Sequence, residues 1–238
     1  MFDYHVGLIT EGPTDAIILE RIVGLLCPEN KHAVVTTISP TETELMNIIP
    51  KPEGFGWGGV YKVCRDLEWK LALQREAGIC YDLIIIHVDG DVSNKTYQSA
   101  NIVAFPEAGK LPSFDQSKTV VENCEMLAQV VKTWIAFSGS NVLYCIPYIN
   151  MDIWAAFSLY PQDRSYLFES WTEDQLNSFL LIKGKREGRL IRNKAGKIRK
   201  NTNSYRNAAQ NLTIDVWHEL TASMEQAVQF ERDLRAFI

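Results

Sequence analysis

Residues Tyr81 to Asn94 read YDLIIIHVDGDVSN, and the fold is decided there. Leu83 to Ile86 is an unbroken aliphatic run that leads into Asp89-Gly90-Asp91. A continuous apolar run of this length, bounded by Gly and Asn, reads as a strand covered on both faces, as in a parallel sheet. The two aspartates then stand at its carboxyl end, the edge where open α/β sheets bind ligands. Two carboxylates separated by one glycine can share a hard divalent cation such as Mg²⁺, which takes oxygen ligands. The other reading of Asp-Gly-Asp is an ordinary turn whose side chains cap their own backbone.

A second run, Val6 to Thr10, strengthens the first reading. It ends in Glu11-Gly12-Pro13-Thr14-Asp15, and Ala16, Ile17, Leu19, Ile22, Val23 and Leu26 continue at helical spacing. Thr14 is the candidate N-cap of that helix, and Asp15 sits in its first turn, where a carboxylate suits the helix dipole. Capping accounts for Asp15 but leaves Glu11 unexplained at the tip of an apolar strand. If the two strands are parallel in one sheet, Glu11, Asp89 and Asp91 converge at one edge.

Glu11-Gly12-x-Thr14-Asp15 after the first strand, and an apolar strand ending in Asp89-x-Asp91, resemble the Toprim family. That fold is shared by topoisomerases, primases, small ribonucleases and OLD-type nucleases. The resemblance covers about residues 1–150 and implies a catalytic set of Glu11, Asp15, Asp89 and Asp91. It makes Glu11 an acid/base or metal-positioning group, and Asp89 and Asp91 ligands of Mg²⁺ or Mn²⁺. Many members carry a third acid in D-x-D-x-D, where this chain has Ser93. That departure favours a nuclease of the OLD-like or small standalone type over a topoisomerase or primase. Asp152, two residues before Trp154 and just past a strand, is similar to an acid of small standalone members that is usually Glu. It is read as an additional metal ligand or as a first-turn acid of the next helix. The resemblance also implies a separate ATPase subunit and a place in bacterial antiviral defence, because single-domain OLD-like members work with such a partner.

Composition bounds these readings. A chain of 238 residues, 46% hydrophobic and 22% charged, makes one large globular domain or a core with an appendage. Asp3 stands where a signal peptide has basic residues, and no apolar run nears the ~20 residues of a membrane span. A cytoplasmic protein with no membrane partner is expected. Five dispersed cysteines, none spaced C-x-x-C, read as buried free thiols, and four histidines show no ligand spacing. His87 lies two residues before Asp89 and reads as a core histidine or a site neighbour.

The net charge of −5 is unevenly spread. Between Lys183 and Arg206 stand ten basic residues and one acid, leaving 14 basic and 28 acidic residues elsewhere. Such a segment suits phosphates, and Lys95, Lys185, Arg186, Arg189, Arg192, Lys194, Lys197, Arg199 and Lys200 are the candidate nucleic-acid contacts. A solvated hairpin without a partner is the alternative. Leu190 to Arg192 and Lys197 to Arg199 flank Asn193-Lys194-Ala195-Gly196 as a two-stranded ribbon, and Tyr205 beyond it offers a ring for base stacking.

In order, the chain predicts a strand at Ala33–Ile38, a glycine-rich mobile loop at 50–59 and a helix from Val60 to Gly78. After the Asp-Gly-Asp strand come a loop at 95–112, an amphipathic helix within Asp115–Phe137 and a strand at Val142–Ile149. A short helix follows at Trp171–Leu181, and a final helix at Ile214–Phe237. The fold class is α/β: a Toprim-like open parallel sheet of about four strands flanked by helices over residues 1–150. Residues 151–238 form a mostly helical extension that carries the basic arm, 183–206. The functional expectation is a Mg²⁺- or Mn²⁺-dependent endonuclease acting on DNA or RNA, tRNA included, with a homodimer as one assembly. A non-catalytic nucleic-acid or partner-binding scaffold, and a DxD phosphatase or glycosyltransferase, are the rival classes.

Overall fold

The structure, a computed structural model, describes residues 2–40, 55–67, 71, 75–76, 78–102, 109–135, 141–167, 169, 171–183 and 188–238. Its centre is a four-stranded sheet of β1 (Phe2–Ile9), β2 (Lys31–Ser39), β3 (Leu83–His87) and β4 (Val142–Cys145), ordered β2-β1-β3-β4. All three pairings are parallel. Parallel neighbours need crossovers, and helices supply them. These include α1 (Pro13–Leu26), α2 (Gly56–Arg65) and α3 (Val120–Thr133).

The aliphatic run of β3 is continuous because each face has its own core. Leu83 and Ile85 pack with Val6, Leu8, Leu143 and α1, whereas Ile84 and Ile86 pack with Ile9, Ile38, α2 and α3. The first face is closed by the last third of the chain, through α4 (Asp152–Leu159), α5 (Glu173–Lys183), α6 (Thr202–Asn211), α7 (Ile214–Thr221) and α8 (Glu225–Arg235). Trp154, Trp217, Tyr205 and Phe230 share one core with Val6 and Ile85. Each such aromatic contributes about 2–3 kcal/mol of burial. The segment 151–238 is thus packed into the core of the sheet. No helix among the described residues is long and apolar enough to cross a membrane.

Several expectations are corrected. The helix after β1 starts at Pro13 with Gly12 as N-cap, so Thr14 lies inside it; proline suits the first helical position because its missing N–H has no partner there. The glycine-rich stretch is not a loop throughout: α2 begins at Gly56, and Trp57 is buried, stacked on Trp134 and edge-on to Tyr97. The predicted strand Val142–Ile149 ends at Cys145. Pro147 has no N–H for a ladder, and its carbonyl instead accepts the Gly90 amide at 2.9 Å. The long C-terminal helix is two, broken between Thr221 and Glu225. There the Glu169 carboxylate takes the amide of Gln226 at 3.1 Å and caps α8 from another part of the chain. The predicted basic ribbon is present as β5 (Ile191–Lys194) and β6 (Lys197–Lys200), antiparallel, joined by the two residues Ala195 and Gly196. Both have positive φ, 53° and 77°, the requirement of a tight hairpin turn matched to strand twist.

Candidate functional site

Parallel register brings the two acidic motifs together. Ile9 faces Ile86, so the residues that follow each strand leave the sheet at the same edge. Glu11 emerges after β1 and accepts the Asp89 amide on Oε1 at 2.8 Å. Asp89 in turn accepts the Met151 amide on Oδ1 at 3.0 Å. The Asp-Gly-Asp segment turns as a single 3-10 turn, Gly90–Val92, stitched to the continuation of β4: Gly90 donates to Pro147 and Asp91 to Ile149. Gly90 is needed for this approach, since a Cβ there would lie 2.0 Å from the Tyr148 carbonyl oxygen. Ser93, where the third acid of D-x-D-x-D would stand, donates to the Pro112 carbonyl and accepts the Phe114 amide, bracing the adjoining loop.

The electrostatics record crowded negative charge. Burial first, then the charges of Asp89 and Asp91, hold the Glu11 carboxyl well above the usual range. Burial also lifts Asp89 to about 6, against the pull of His87. His87 is fully buried with Nε2 3.1 Å from Asp89 Oδ1, though neither ring nitrogen has a hydrogen-bond partner among the described residues. Burial alone would lower His87, and the Asp89 charge outweighs it and raises it. Asp91 pairs with Lys95, four residues on, at 3.0 Å. Glu173, in the first turn of α5, is held up by burial and then by Asp91, which puts a further carboxylate beside this pair.

The other acids meet a lysine. Asp15 and Asp152, both buried, lie 3.2 and 2.8 Å from Lys200 Nζ. The Tyr205 hydroxyl donates to Asp152 at 2.5 Å, and the Tyr205 ring lies 5.7 Å from the ammonium. Crowding by protein would lower Lys200, and the charges of Asp15 and Asp152 hold it well above the usual lysine range. A cleft of about 360 Å³ joins the two acid groups, lined by Glu11, Asp15, Phe55, Asp89, Lys200 and Thr202.

Glu11, Asp15, Asp89 and Asp91 thus interact at one edge, as the two motifs require. Asp152, read as an additional metal ligand, is engaged by Lys200 and Tyr205. Lys200, read as a phosphate contact, is ion-paired with Asp15 and Asp152 although its side chain is 32% exposed, and Arg189, Arg192, Lys194, Lys197 and Arg199 are exposed as well. Lys185 and Arg186 lie outside the described residues, as does the Pro50 to Gly54 part of the glycine-rich stretch. Tyr205 is fully buried inside α6, so its ring does not face a base. Lys200 as a counter-ion and Glu173 as a neighbour of Asp91 were not read from the sequence. A signal for the first exists: β6 ends at Lys200 opposite the buried Ile191 and next to the buried Leu190, which brings this lysine to the edge of the core with its side chain 32% exposed. Among the described residues, no three acid, histidine or cysteine side chains are gathered as a ready-made metal cage. Comparison with protein-family models, with curated proteins and with solved structures finds no match to this chain.

Proposed function

We propose that this protein is a metal-dependent phosphodiesterase of Toprim type that cuts nucleic acid. The observation that carries the reading is the Glu11–Asp89 hydrogen bond at the shared carboxyl edge of β1 and β3, with Asp15 and Asp91 close enough to perturb the same carboxyl. The donor set is carboxylate oxygen throughout, the chemistry of Mg²⁺ or Mn²⁺. Burial, the first cause of the raised Glu11 and Asp89 carboxyls, disfavours their ionised forms, and a bound cation would offset that cost. In this reading Glu11, Asp89 and Asp91 hold the cation, which supplies Lewis-acid polarisation of a phosphate when bound.

The chain's own groups do the rest. Glu11 either completes that coordination or, with its carboxyl held high by burial and by Asp89 and Asp91, moves a proton. Lys95, with its side chain 42% exposed beside Asp91, is placed to meet a phosphate at the edge. The exposed cations of the β5–β6 ribbon give the acidic chain a surface that attracts a polyanion. The resemblance to OLD-like proteins supports a separate ATPase partner in antiviral defence, as fold-level analogy.

Purified protein is to be incubated with plasmid, single-stranded DNA and tRNA in Mg²⁺, Mn²⁺ or chelator, beside Glu11→Gln and Asp89→Asn. Cleavage by wild type that needs metal and falls at least ~100-fold in both variants is expected. Cleavage that survives in either variant overturns the reading. Neutralising Arg192, Lys197 and Arg199 together is expected to weaken binding and flatten its salt dependence, by roughly 0.7–0.9 in log–log slope for each phosphate the ribbon no longer neutralises. Binding that is equally strong in chelator and in Asp89→Asn, without cleavage, favours the scaffold class instead.

A further inference from the structure

The carboxylates at the sheet edge fall into two groups that differ in what neutralises them. Glu11 accepts a backbone amide, which carries no net charge, Asp89 accepts another and lies 3.1 Å from the buried His87 imidazole, and Asp91 pairs with the half-exposed Lys95. Asp15 and Asp152, with side chains 2% and 4% exposed, share the Lys200 ammonium between them. The Tyr205 hydroxyl occupies a further lone pair of Asp152.

Lys200 is fixed from both sides. It ends β6 opposite the buried Ile191, and the next residue, Asn201, donates its amide to the Leu190 carbonyl at 2.7 Å. Asn201 also opens α6, which packs against α1 and α4, the helices that carry Asp15 and Asp152. The backbone therefore anchors the residue, and its side chain, 32% exposed, sets the ammonium between two buried carboxylates from two different helices. A dication at the same two carboxylates would face this ammonium at contact distance, and like charges there exclude one another.

Resting on the metal-dependent reading above, we propose that the site takes a single divalent cation per chain, on the side of Glu11, Asp89 and Asp91. Lys200 is the resident counter-ion of Asp15 and Asp152, and stands where a second cation would bind. The ribbon thereby serves the site in two ways: its exposed cations face solvent, and its last residue neutralises the helix-borne acids.

The test is Mn²⁺ binding stoichiometry of the metal-free full chain, read from the free-Mn²⁺ electron paramagnetic resonance signal. Wild type and Lys200→Arg are expected to bind one Mn²⁺. Lys200→Met, which keeps the stem and removes the charge, is expected to bind two. The Asp15→Asn/Asp152→Asn double variant is expected still to bind one, because those carboxylates hold lysine and not metal. The double variant decides the matter even if Lys200→Met does not fold. Two ions on wild type, one on a folded Lys200→Met, or no ion bound by a folded double variant each overturns the inference and leaves the metal-dependent reading standing. No Mn²⁺ on wild type overturns both.

Discussion

The strand-tip half of the site, Glu11 with Asp89 and Asp91, and the helix half, Asp15 with Asp152, face the same difficulty of keeping carboxylates away from water. They resolve it differently. In the strand-tip half Glu11 and Asp89 accept backbone amides, Asp89 also lies 3.1 Å from the His87 imidazole, and both carboxyls are held high. In the helix half a lysine and a tyrosine hydroxyl take up the charge and the lone pairs. Acids held by amides keep an unmet demand for positive charge, whereas acids held by an ammonium do not. Backbone geometry fixes the first group and side-chain chemistry the second, so substitutions in the two halves should fail in different ways.

The largest expected effect is at the backbone of the strand-tip half. Gly90→Ala puts a methyl group 2.0 Å from the Tyr148 carbonyl oxygen and 2.6 Å from that of Pro147, atoms that cannot turn aside as a side chain would. A loss of at least ~3 kcal/mol in urea denaturation is expected, with loss of activity. A cost below ~1 kcal/mol would mean that the tips of β3 and β4 are not locked together. Next in size, Asp152→Asn removes half of the charge that answers Lys200 and is expected to lose about 1–3 kcal/mol. Glu11→Gln, by contrast, is expected to be neutral or stabilising at pH 8, since it removes a carboxylate whose ionisation the fold opposes. Equal losses in the two variants would break the comparison.

The smallest expected effect is in the pH dependence, measured in chelator. A carboxyl with a raised folded pKa binds more protons folded than unfolded, so unfolding free energy falls as pH rises from its ordinary range through the raised value. For Asp89 that window runs from the usual 3.8 to about 6. His87, also raised, contributes stability below its ordinary 6.5 that is lost as pH climbs past its folded value, so the two act in the same direction. Urea midpoints of wild type should therefore fall between pH 5 and pH 8. The fall should be shallower in Asp89→Asn, which removes both the raised carboxyl and the anion that raises His87. An unchanged slope would place the source of the pH dependence elsewhere.

What could be read in the sequence, and what could not, follows from the range of the forces involved. The four strands announce themselves because aliphatic runs are local, and Glu11 and Asp89 are legible because each ends such a run. The capping box Thr119–Glu122 is equally local and marks the start of α3. The break between α7 and α8 has no local cause: no glycine or proline marks it, and the capping Glu169 lies 57 residues away. Lys200 is hidden for a related reason. It is one lysine in a basic run whose β6 residues are all exposed, and only the register of β6 against Ile191 brings it to Asp15 and Asp152. Tyr205, read as a ring for bases, is drawn inward by the hydroxyl acceptor that Asp152 provides.

The bond from Lys200 to Asp15 spans 185 residues, and its consequence lies in time as well as in space. Because a nascent chain leaves the ribosome from its amino end, β1 to β4 are available while Asp15 and Asp152 still lack their cation. The helix-borne acids become neutral only when the ribbon arrives and α6 closes beneath it. The acidic edge therefore waits on a segment 185 residues further along the chain for its lysine.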